Sequence, residues 1–503
     1  MPAPASRDPA RRTSFISMLL AIPLGAICVA AFEPIGFSII VVLALAFLFK
    51  RWAEAGTPRA AFLTGYGFGL GYFLAGVSWI YVSLATFGAM PMPLAAIATF
   101  LFCAFLALFP AVTGYVAARV PGSTAIKLLL AAPAAWALIE WVRCWIFTGF
   151  PWLSVGYSQA PGSPLAGFAP IAGVFGVSLA VALSAGALAL ALLHRQRAPI
   201  VLAGVVALWL AGFGLKQIAW TKPTGVSTTV DLLQGNIPQD IKWSQEALVA
   251  TLNTYRKMVT ASSAQLIVLP ETALPLFLDR VPADYLNDLA VHARKNKGDI
   301  LIGVPEQLPS GAYYNSVISL GSAAPQVYRK SHLVPFGEFI PVRPVLGWIV
   351  GVLSIPLQDF ARGSIEQQPL NLAGQRVAVN ICYEDVFGEE IIRQLPRATM
   401  LVNASNVAWF GRSIAPRQHL QISQMRALET GRYMLRATNT GVTAVIDERG
   451  IVKAAAPEYE RVTISYAVPG FEGVTPYVRW GNYAFLLIAG IMLLGVPMSR
   501  QKQ

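Results

Sequence analysis

The chain has 503 residues, of which 55% are hydrophobic and only 13% are charged. With a mean hydropathy of +0.55, this composition argues against a water-soluble globule and is typical of a membrane protein. The formal net charge of +12 would suit a nucleic-acid-binding protein, but basic and acidic residues nearly balance between residues 222 and 472. The basic excess therefore lies beside the apolar stretches, and no nucleic acid is expected as a partner.

Apolar stretches long enough to cross a bilayer, which takes roughly 20 apolar residues per helix, occupy both ends of the chain. Seven precede a polar region and one follows it: residues 15–31, a second ending near 49, 60–85, 94–117, 126–147, 165–193, 199–219 and 483–498. The sequence therefore predicts a transmembrane domain of seven helices at 1–219, a polar domain at 220–479 and a C-terminal transmembrane helix at 480–503.

The orientation of these helices is predicted by their flanking positive charges. If eight helices alternate, one side of the membrane receives Arg7, Arg11, Arg12, Lys50, Arg51, Arg59, Arg119, Lys127, Arg195, Arg197, Arg500 and Lys502. The opposite short connections, residues 33–36 and 87–93, contain no Lys or Arg. Because positively charged loops stay in the cytoplasm, both termini are expected there and the polar domain outside it.

The polar domain has the pattern of an α/β fold, in which β-rich runs are separated by amphipathic helical ones. Strands are predicted at 228–234, 265–269, 299–304, 316–320, 376–381, 400–403 and 443–446, and helices at 245–262, 283–295 and 414–430. Polar residues follow several of the strands directly, which is where α/β folds place their functional sites. Glu271 follows QLIVLP, Cys382 follows RVAVNI, and Asn406 follows LVNAS.

Each candidate has a structural alternative when it is considered alone. Cys382, the one cysteine of the polar domain, could be a buried core residue. Glu271 could cap a helix that begins at Thr272, and Lys330 could be a solvated surface lysine. Together they have chemical meaning, because a thiol with a reference pKa of about 8.5 attacks only as thiolate. A carboxylate can take its proton while a lysine stabilises the charge on the attacked carbonyl oxygen.

A cysteine with a histidine base would serve the same chemistry, and His332 and His419 are the candidates for that base. His332 stands two residues after Lys330, so an extended segment would point both side chains to the same side. The residues alone do not choose between a Glu-Lys-Cys and a Cys-His arrangement.

A wider set of motifs resembles a known family. The order LPETALP, YRKSHLVPFGE and NICYED is similar to the nitrilase superfamily, whose Glu-Lys-Cys triad lies on an α-β-β-α sandwich. The flanking helices, FPWLSVGYSQ, QGNIPQDIKW and AWFG followed by QHLQISQMRALETGRYMLRATNTG resemble one branch of it, the apolipoprotein N-acyltransferases. The resemblance implies that Glu271 is the base, Lys330 the oxyanion-stabilising lysine and Cys382 the nucleophile.

The same resemblance implies the roles of further residues. Glu338 matches a second glutamate that supports the triad, and Trp243, Tyr383 and Glu384 match positions that the family needs for activity. Asn406 and Trp152 lie within the similar motifs and are expected to support the site. Val407 follows Asn406 where the resemblance leads us to expect an Asp, so no acidic role is expected at that position.

The reaction that the resemblance implies has two steps. A glycerophospholipid, typically phosphatidylethanolamine, gives its sn-1 acyl chain to Cys382, and the amino group of the diacylglyceryl-cysteine at an apolipoprotein N-terminus then takes that chain. Neither a metal nor a diffusible cofactor is expected. A monomer in the bacterial inner membrane, with a periplasmic catalytic domain, is expected to carry out the reaction.

Two other functions and one further feature stay as hypotheses. A membrane-tethered amidase or nitrile hydrolase would use the same triad with water as acceptor, and a transporter would place ionisable residues such as Glu140 and Arg143 within its helices. The apolar segment 339–358, interrupted by prolines, is expected either to be a buried part of the sandwich or to rest in the membrane interface. In the second case Trp348 would lie at headgroup level and the segment would bring acyl chains to Cys382.

Overall fold

The computed structural model describes residues 9–341, 344 and 359–495, with side chains described from Ser14 onward. The segment that includes Trp348 and the basic residues Arg500 and Lys502 lie outside the described residues. The chain folds into two compact units. A helical unit comprises the residues up to Tyr81, Pro93–Ile218 and the residues from Asn482, and a sandwich unit comprises Val82–Met92 and Ala219–Gly481.

Among the described residues of the helical unit, the longer helices are Pro9–Cys28, Ile39–Glu54, Pro58–Val77, Met92–Leu106, Leu108–Arg119, Ala132–Arg143, Ala169–Leu193, Ala198–Lys216 and Tyr483–Leu494. By length and composition, six stretches of the described chain could cross a membrane: Ser14–Ala31, Pro58–Val77, Met92–Arg119, Thr124–Arg143, Pro164–Leu193 and Arg195–Lys216. Of the other two predicted spans, Ile39–Glu54 has 16 residues and Tyr483–Leu494 has 12.

Small residues allow these helices to approach closely. Close backbone contact at small residues is common between transmembrane helices. Gly71 on helix Pro58–Val77 lies against the backbone of Ile22, and Gly25 lies against the backbone of Phe68. A Cβ on either glycine would overlap the opposing carbonyl oxygen, so alanine at these positions would push the two helices apart.

Within the described residues of the sandwich unit, twelve strands form two six-stranded sheets. They are β1 Thr221–Gln234, β2 Leu266–Val268, β3 Asp299–Gln307, β4 Tyr313–Gly321, β5 Val327–Arg329, β6 Leu370–Leu372, β7 Gln375–Ile381, β8 Met400–Ser405, β9 Met434–Thr438, β10 Ala444–Ile446, β11 Val452–Ala455 and β12 Val462–Gly473. The sheet orders are β12-β1-β2-β3-β4-β5 and β11-β10-β9-β8-β7-β6. Each sheet has a parallel three-stranded centre, β1-β2-β3 in one and β7-β8-β9 in the other.

Strand periodicity explains the layers, because successive side chains point to opposite faces of a sheet. Alternate residues of both sheets form one shared core, to which β1 contributes Val230 and Leu232 and β7 contributes Val377, Val379 and Ile381. The outer faces pack on helices Gln245–Ala261 and Ala283–Lys295 on one side and on helix Ala415–Thr430 on the other. The α-β-β-α sandwich predicted from the sequence is confirmed.

The short segment Val82–Met92, which the predicted division assigned to the helical part, belongs to the sandwich unit. The Ser83 hydroxyl donates to the carbonyl oxygen of Trp409 over 2.8 Å, and the rings of Phe87 and Trp409 meet edge to face with centroids 6.1 Å apart. These contacts connect a piece of chain between two apolar helices to the turn that follows Asn406.

Candidate active site

Glu271 lies just beyond the carboxyl end of β2, in a turn rather than at the start of a helix. The turn runs against β3 at Gly303, where a Cβ would lie 2.7 Å from the Cα of Glu271, so only glycine fits there. The carboxylate is buried and accepts one hydrogen bond on each oxygen: the Asn315 side chain donates to Oε1 over 2.7 Å and the Asn406 backbone N–H donates to Oε2 over 2.9 Å. These two donors fix its orientation. The alternative of a helix-capping Glu271 is therefore wrong.

Lys330 follows the edge strand β5 and is 1% exposed. Its Nζ lies 2.9 Å from Glu338 Oε2 and 3.5 Å from Glu271 Oε1. Burial by itself would lower the pKa of Lys330, but the carboxylates of Glu338 and Glu271 outweigh burial and raise it. The side chain is thus a permanent cation inside the unit, and the alternative of a solvated surface lysine is wrong.

Glu338 holds the lysine in place and is itself held by two other donors. Its carboxylate accepts from the Asn315 side chain over 2.9 Å and from the backbone N–H of Val334 over 2.8 Å. Asn315 on β4 therefore bridges Glu271 and Glu338. Asn315 is not among the residues predicted from the sequence, although an Asn within the apolar run YYNSVISL is the kind of signal that identifies such a residue.

Cys382 follows β7 directly and begins the short turn Cys382–Val386. Its backbone φ of +52° lies in the left-handed region, which residues other than glycine rarely adopt. The residue is half-buried. Burial and the neighbouring carboxylate of Glu271 raise the pKa of the thiol to about 12, although Lys330 and the Ser405 hydroxyl act in the opposite direction. The resting thiol is therefore protonated and needs a base when it attacks.

Glu384 ties the cysteine turn to the segment that carries the lysine. One carboxylate oxygen accepts from the backbone N–H of Ser331 over 2.7 Å, and the other accepts from the backbone N–H of Ile381 over 2.7 Å and from the Tyr328 hydroxyl over 3.0 Å. Tyr383 is buried against the ring of Phe387, with centroids 5.2 Å apart. Both residues support the turn by their contacts within the unit.

Neither histidine candidate has the contacts of a base for Cys382. The Nδ1 of His332 lies 3.0 Å from Glu390 Oε1, and its ring stacks on Phe387 at 3.8 Å. His419 is 1% exposed, its Nδ1 lies 2.9 Å from Nη2 of Arg436, and its Nε2 lies 2.6 Å from Asp385 Oδ1. Because a guanidinium can only donate, Nδ1 of His419 is an acceptor and Nε2 carries the proton, so neither nitrogen is available as a base.

Of three further residues from the predicted motifs, Asn406 contacts Glu271. Asn406 donates from its side chain to Gln239 over 2.8 Å and accepts from Asn439 over 3.2 Å, while its backbone holds Glu271. Val407 is buried beside it. Among the described residues, the buried indole Nε1 of Trp243 has no hydrogen-bond partner.

Lys242, which is not among the residues predicted from the sequence, is 2% exposed and interacts electrostatically with Glu271. Burial lowers the pKa of Lys242 to about 8, while the Glu271 carboxylate opposes that shift. A lysine so placed remains mostly charged at neutral pH and adds a second cation near the carboxylate. Its place directly before Trp243 in QGNIPQDIKW was the available signal.

Trp152 lies in the helical unit, where it is 1% exposed. The loop that carries it is held by buried charges: Arg143 donates to the carbonyl oxygens of Phe150 and Trp152 over 2.7 and 2.6 Å. Glu140 accepts from the backbone N–H of Val155 over 2.9 Å. The two ionisable residues considered for a transporter thus bind loop backbone, as expected for charges that organise a fold.

The reactivity of Cys382 should show its raised pKa directly. We expect alkylation of the free thiol by iodoacetamide to be slow at neutral pH and to rise about tenfold per pH unit from pH 7 to 10, because only the thiolate reacts. The rate is measured by mass spectrometry of the Cys382 peptide, with a Cys382→Ala variant as the control for other cysteines. A rate that levels off below pH 9 would show a thiolate already formed beside Lys330 and contradict this expectation.

The chain is similar to proteins of one family over nearly its whole length. A family model described as Apolipoprotein N-acyltransferase N-terminal domain matches residues 24–187, and one described as Carbon-nitrogen hydrolase matches residues 229–470. The chain is 56% identical to the apolipoprotein N-acyltransferase of Nitrosomonas europaea, with 96% of this chain and 98% of that one covered.

Two further relatives agree with this similarity. The apolipoprotein N-acyltransferase of Methylococcus capsulatus is 45% identical, with 97% of both chains covered. That of Chromobacterium violaceum is also 45% identical, with 98% of this chain and 95% of that one covered. The resemblance inferred from the motifs is confirmed, and the chain belongs to the apolipoprotein N-acyltransferase family.

Proposed function

We propose that this chain transfers an acyl chain from a glycerophospholipid, through a thioester on Cys382, to the α-amino group of the N-terminal diacylglyceryl-cysteine of apolipoproteins. One observation supports the chemistry most strongly: a protonated thiol in a left-handed turn lies within electrostatic reach of the buried Glu271 and Lys330. The relatives are named apolipoprotein N-acyltransferase, which supports the apolipoprotein acceptor, and the glycerophospholipid donor is part of the proposal.

In the first step, Cys382 attacks the sn-1 ester carbonyl of the phospholipid. Glu271 accepts the thiol proton as the sulfur–carbon bond forms, and the carbonyl electron pair moves onto oxygen, where Lys330 stabilises the charge. The intermediate collapses, the glycerol oxygen leaves with the proton from Glu271, and a lysophospholipid departs. Glu338 keeps the lysine in position through its 2.9 Å contact.

In the second step, the free amine of the lipoprotein attacks the thioester carbonyl. Glu271 accepts the proton of the developing ammonium, the carbon–sulfur bond breaks, and the proton passes to the departing thiolate. The amide product leaves and the thiol is restored. A single carboxylate therefore serves both steps.

The test uses the purified full-length chain in mixed micelles containing phosphatidylethanolamine. We expect a hydroxylamine-sensitive acyl adduct on the protein, and acyl transfer to a peptide that begins with diacylglyceryl-cysteine. The same peptide with an acetylated N-terminus is the matched control, because it lacks the accepting amine. Release of free fatty acid at the same rate with either peptide would indicate a membrane-tethered hydrolase of the amidase type and would refute the proposal.

We also propose phosphatidylethanolamine as the preferred donor and a monomer as the active form. Replacing the donor with phosphatidylglycerol in the same micelles should lower the acylation rate. Equal rates would refute the headgroup preference without affecting the transfer reaction itself.

The proposed location is the bacterial inner membrane, with residues 1–219 and 480–503 in the bilayer and 220–479 in the periplasm. The support is the set of positive charges between apolar stretches, including Lys50, Arg51, Arg195 and Arg197. A reporter fused after Gln503 should be cytoplasmic, and one inserted at Gly311 should be periplasmic. Both reporters on one side of the membrane would show that the helices were miscounted.

A further inference from the structure

A buried polar cluster lies beneath the turn that carries Cys382. Its members are Arg436 on β9, Asn403 on β8, Asp385 in the turn, and His419 and Ser423 on helix Ala415–Thr430. None of the five is more than 1% exposed. The proposed mechanism uses none of them. Because replacing buried ion pairs with apolar side chains is often neutral for stability, stability alone does not explain the cluster.

The Arg436 guanidinium contacts the far end of the turn directly and reaches its start through Asn403. Its Nη1 lies 3.3 Å from Oδ2 of Asp385, near the end of the turn Cys382–Val386. The same Nη1 donates to Oδ1 of Asn403 over 3.0 Å. Asn403 in turn donates from Nδ2 to the carbonyl oxygen of Cys382 over 2.9 Å. One cation thus connects the start of the turn, through an amide, with its far end.

The chemistry of the donors fixes the orientation of that amide. Because Arg436 can only donate, the Asn403 oxygen must face it and the Asn403 nitrogen must face away. On that side lie two acceptors, the Cys382 carbonyl and Oδ1 of Asn380, which is 2.7 Å from Nδ2. An aspartate at 403 would have the same shape but no donor for the cysteine carbonyl.

The far end of the turn is fixed equally well. Asp385 accepts from His419 over 2.6 Å and from the Ser423 hydroxyl over 2.5 Å. Burial would raise the pKa of Asp385, but His419, Arg436 and Ser423 together lower it, so the carboxylate is ionised. The charge of Arg436 is therefore paired with that of Asp385 only when the turn is in its observed position.

We propose that Arg436 and Asn403 are positioning residues for the nucleophile: they hold the Cys382 carbonyl and thereby the left-handed backbone that presents the thiol to Glu271. The proposal rests on the proposed role of Cys382 as nucleophile. A misplacement of about 1 Å can cost on the order of 10²-fold in rate, so the loss of this support should act on the acylation rate constant.

The experiment measures single-turnover acylation of Cys382 in the full-length chain, where the rate constant and the amplitude report different properties. A residue needed only for folding lowers the amplitude, because fewer molecules are competent. A positioning residue lowers the rate constant of the molecules that react. We expect Asn403→Asp and Arg436→Met to lower the maximal rate constant about 10²-fold. The donor concentration that gives half of that rate constant should be unchanged.

Arg432→Met is the matched control. Arg432 is also a buried arginine, but it donates to the backbone carbonyls of Ala398 and Gly473 and has no contact with the cysteine turn among its described hydrogen bonds. Its loss should lower stability and amplitude but leave the rate constant at the wild-type value. Equal rate constants for Asn403→Asp, Arg432→Met and wild type would overturn the positioning role.

A second acyl donor, a soluble ester, tests the positioning role separately from the proposed lipid reaction. If the wild type is not acylated by phosphatidylethanolamine but is acylated on Cys382 by a soluble p-nitrophenyl ester, the lipid reaction is refuted. The positioning role is then decided by the ester rate constants of the same variants. If the two variants are slower than Arg432→Met with the ester, the positioning role stands independently of the lipid substrate.

Discussion

Substitution of Cys382 by alanine is expected to abolish the acyl adduct and to reduce acyl transfer by a factor on the order of 10⁶, the scale that follows removal of a triad nucleophile. The reason is that the thioester divides a difficult transfer between two substrates into two easier steps, and alanine offers no atom that can hold the acyl chain. Intact-protein mass spectrometry after incubation with phosphatidylethanolamine, followed by lipopeptide addition, measures both effects.

The control for this substitution is Cys144→Ala in the helical unit. Cys144 is also a half-buried cysteine, so a general sensitivity to cysteine loss would affect both variants. Only the Cys382 variant should lose the adduct. A Cys382→Ala protein that still transfers acyl chains at the wild-type rate would disprove the covalent mechanism entirely.

Lys330→Met should lower turnover by about 10² to 10³, the usual cost of removing one oxyanion donor. The structure gives a second consequence, because the substitution also leaves the Glu271 and Glu338 carboxylates buried without their shared cation. Breaking a buried pair in this way costs about 3 to 5 kcal/mol of stability, so the amount of folded protein should fall as well. The first-order rate constant of acyl-enzyme formation separates the catalytic loss from the smaller folded fraction.

His332→Ala is the comparison that distinguishes the two possible arrangements. It removes the contact with Glu390 and the stacking on Phe387, but no contact of Glu271 or Lys330. We therefore expect its rate constant to change far less than that of Lys330→Met. The reverse ranking would indicate a Cys-His enzyme and would require a geometry different from the one described.

The parts of the fold that depend on local sequence patterns could be predicted from the sequence. Strand and helix patterns are local, so every predicted strand of the sandwich corresponds to one in the structure, although β5, β6, β9, β11 and β12 were not predicted. Three of these, β5, β6 and β11, have only three or four residues, which is too short for a clear alternation. Each of the three lies at a sheet edge and pairs antiparallel with its neighbour in the chain, β5 with β4, β6 with β7 and β11 with β10.

For the candidate site, the sequence by itself determined which residue types are present and in what order. Glu271 and Cys382 were found because each follows an apolar strand, and Lys330 and Glu338 because their motif is similar to that of the family. The choice between Lys330 and His332 could not be made from the residues, since both stand on one short segment.

The resemblance to the family favours Lys330, and the catalytic roles stay predictions. Only the tertiary structure, however, gives the surroundings of each side chain. It directs Lys330 toward two carboxylates and His332 toward Glu390. It also brought together Asn315 with Glu271 and Arg436 with Asp385, residues separated by 44 and 51 positions. The physical reason is that a buried polar group must find its hydrogen-bond partners wherever the fold places them, and sequence spacing carries no record of which strands become neighbours.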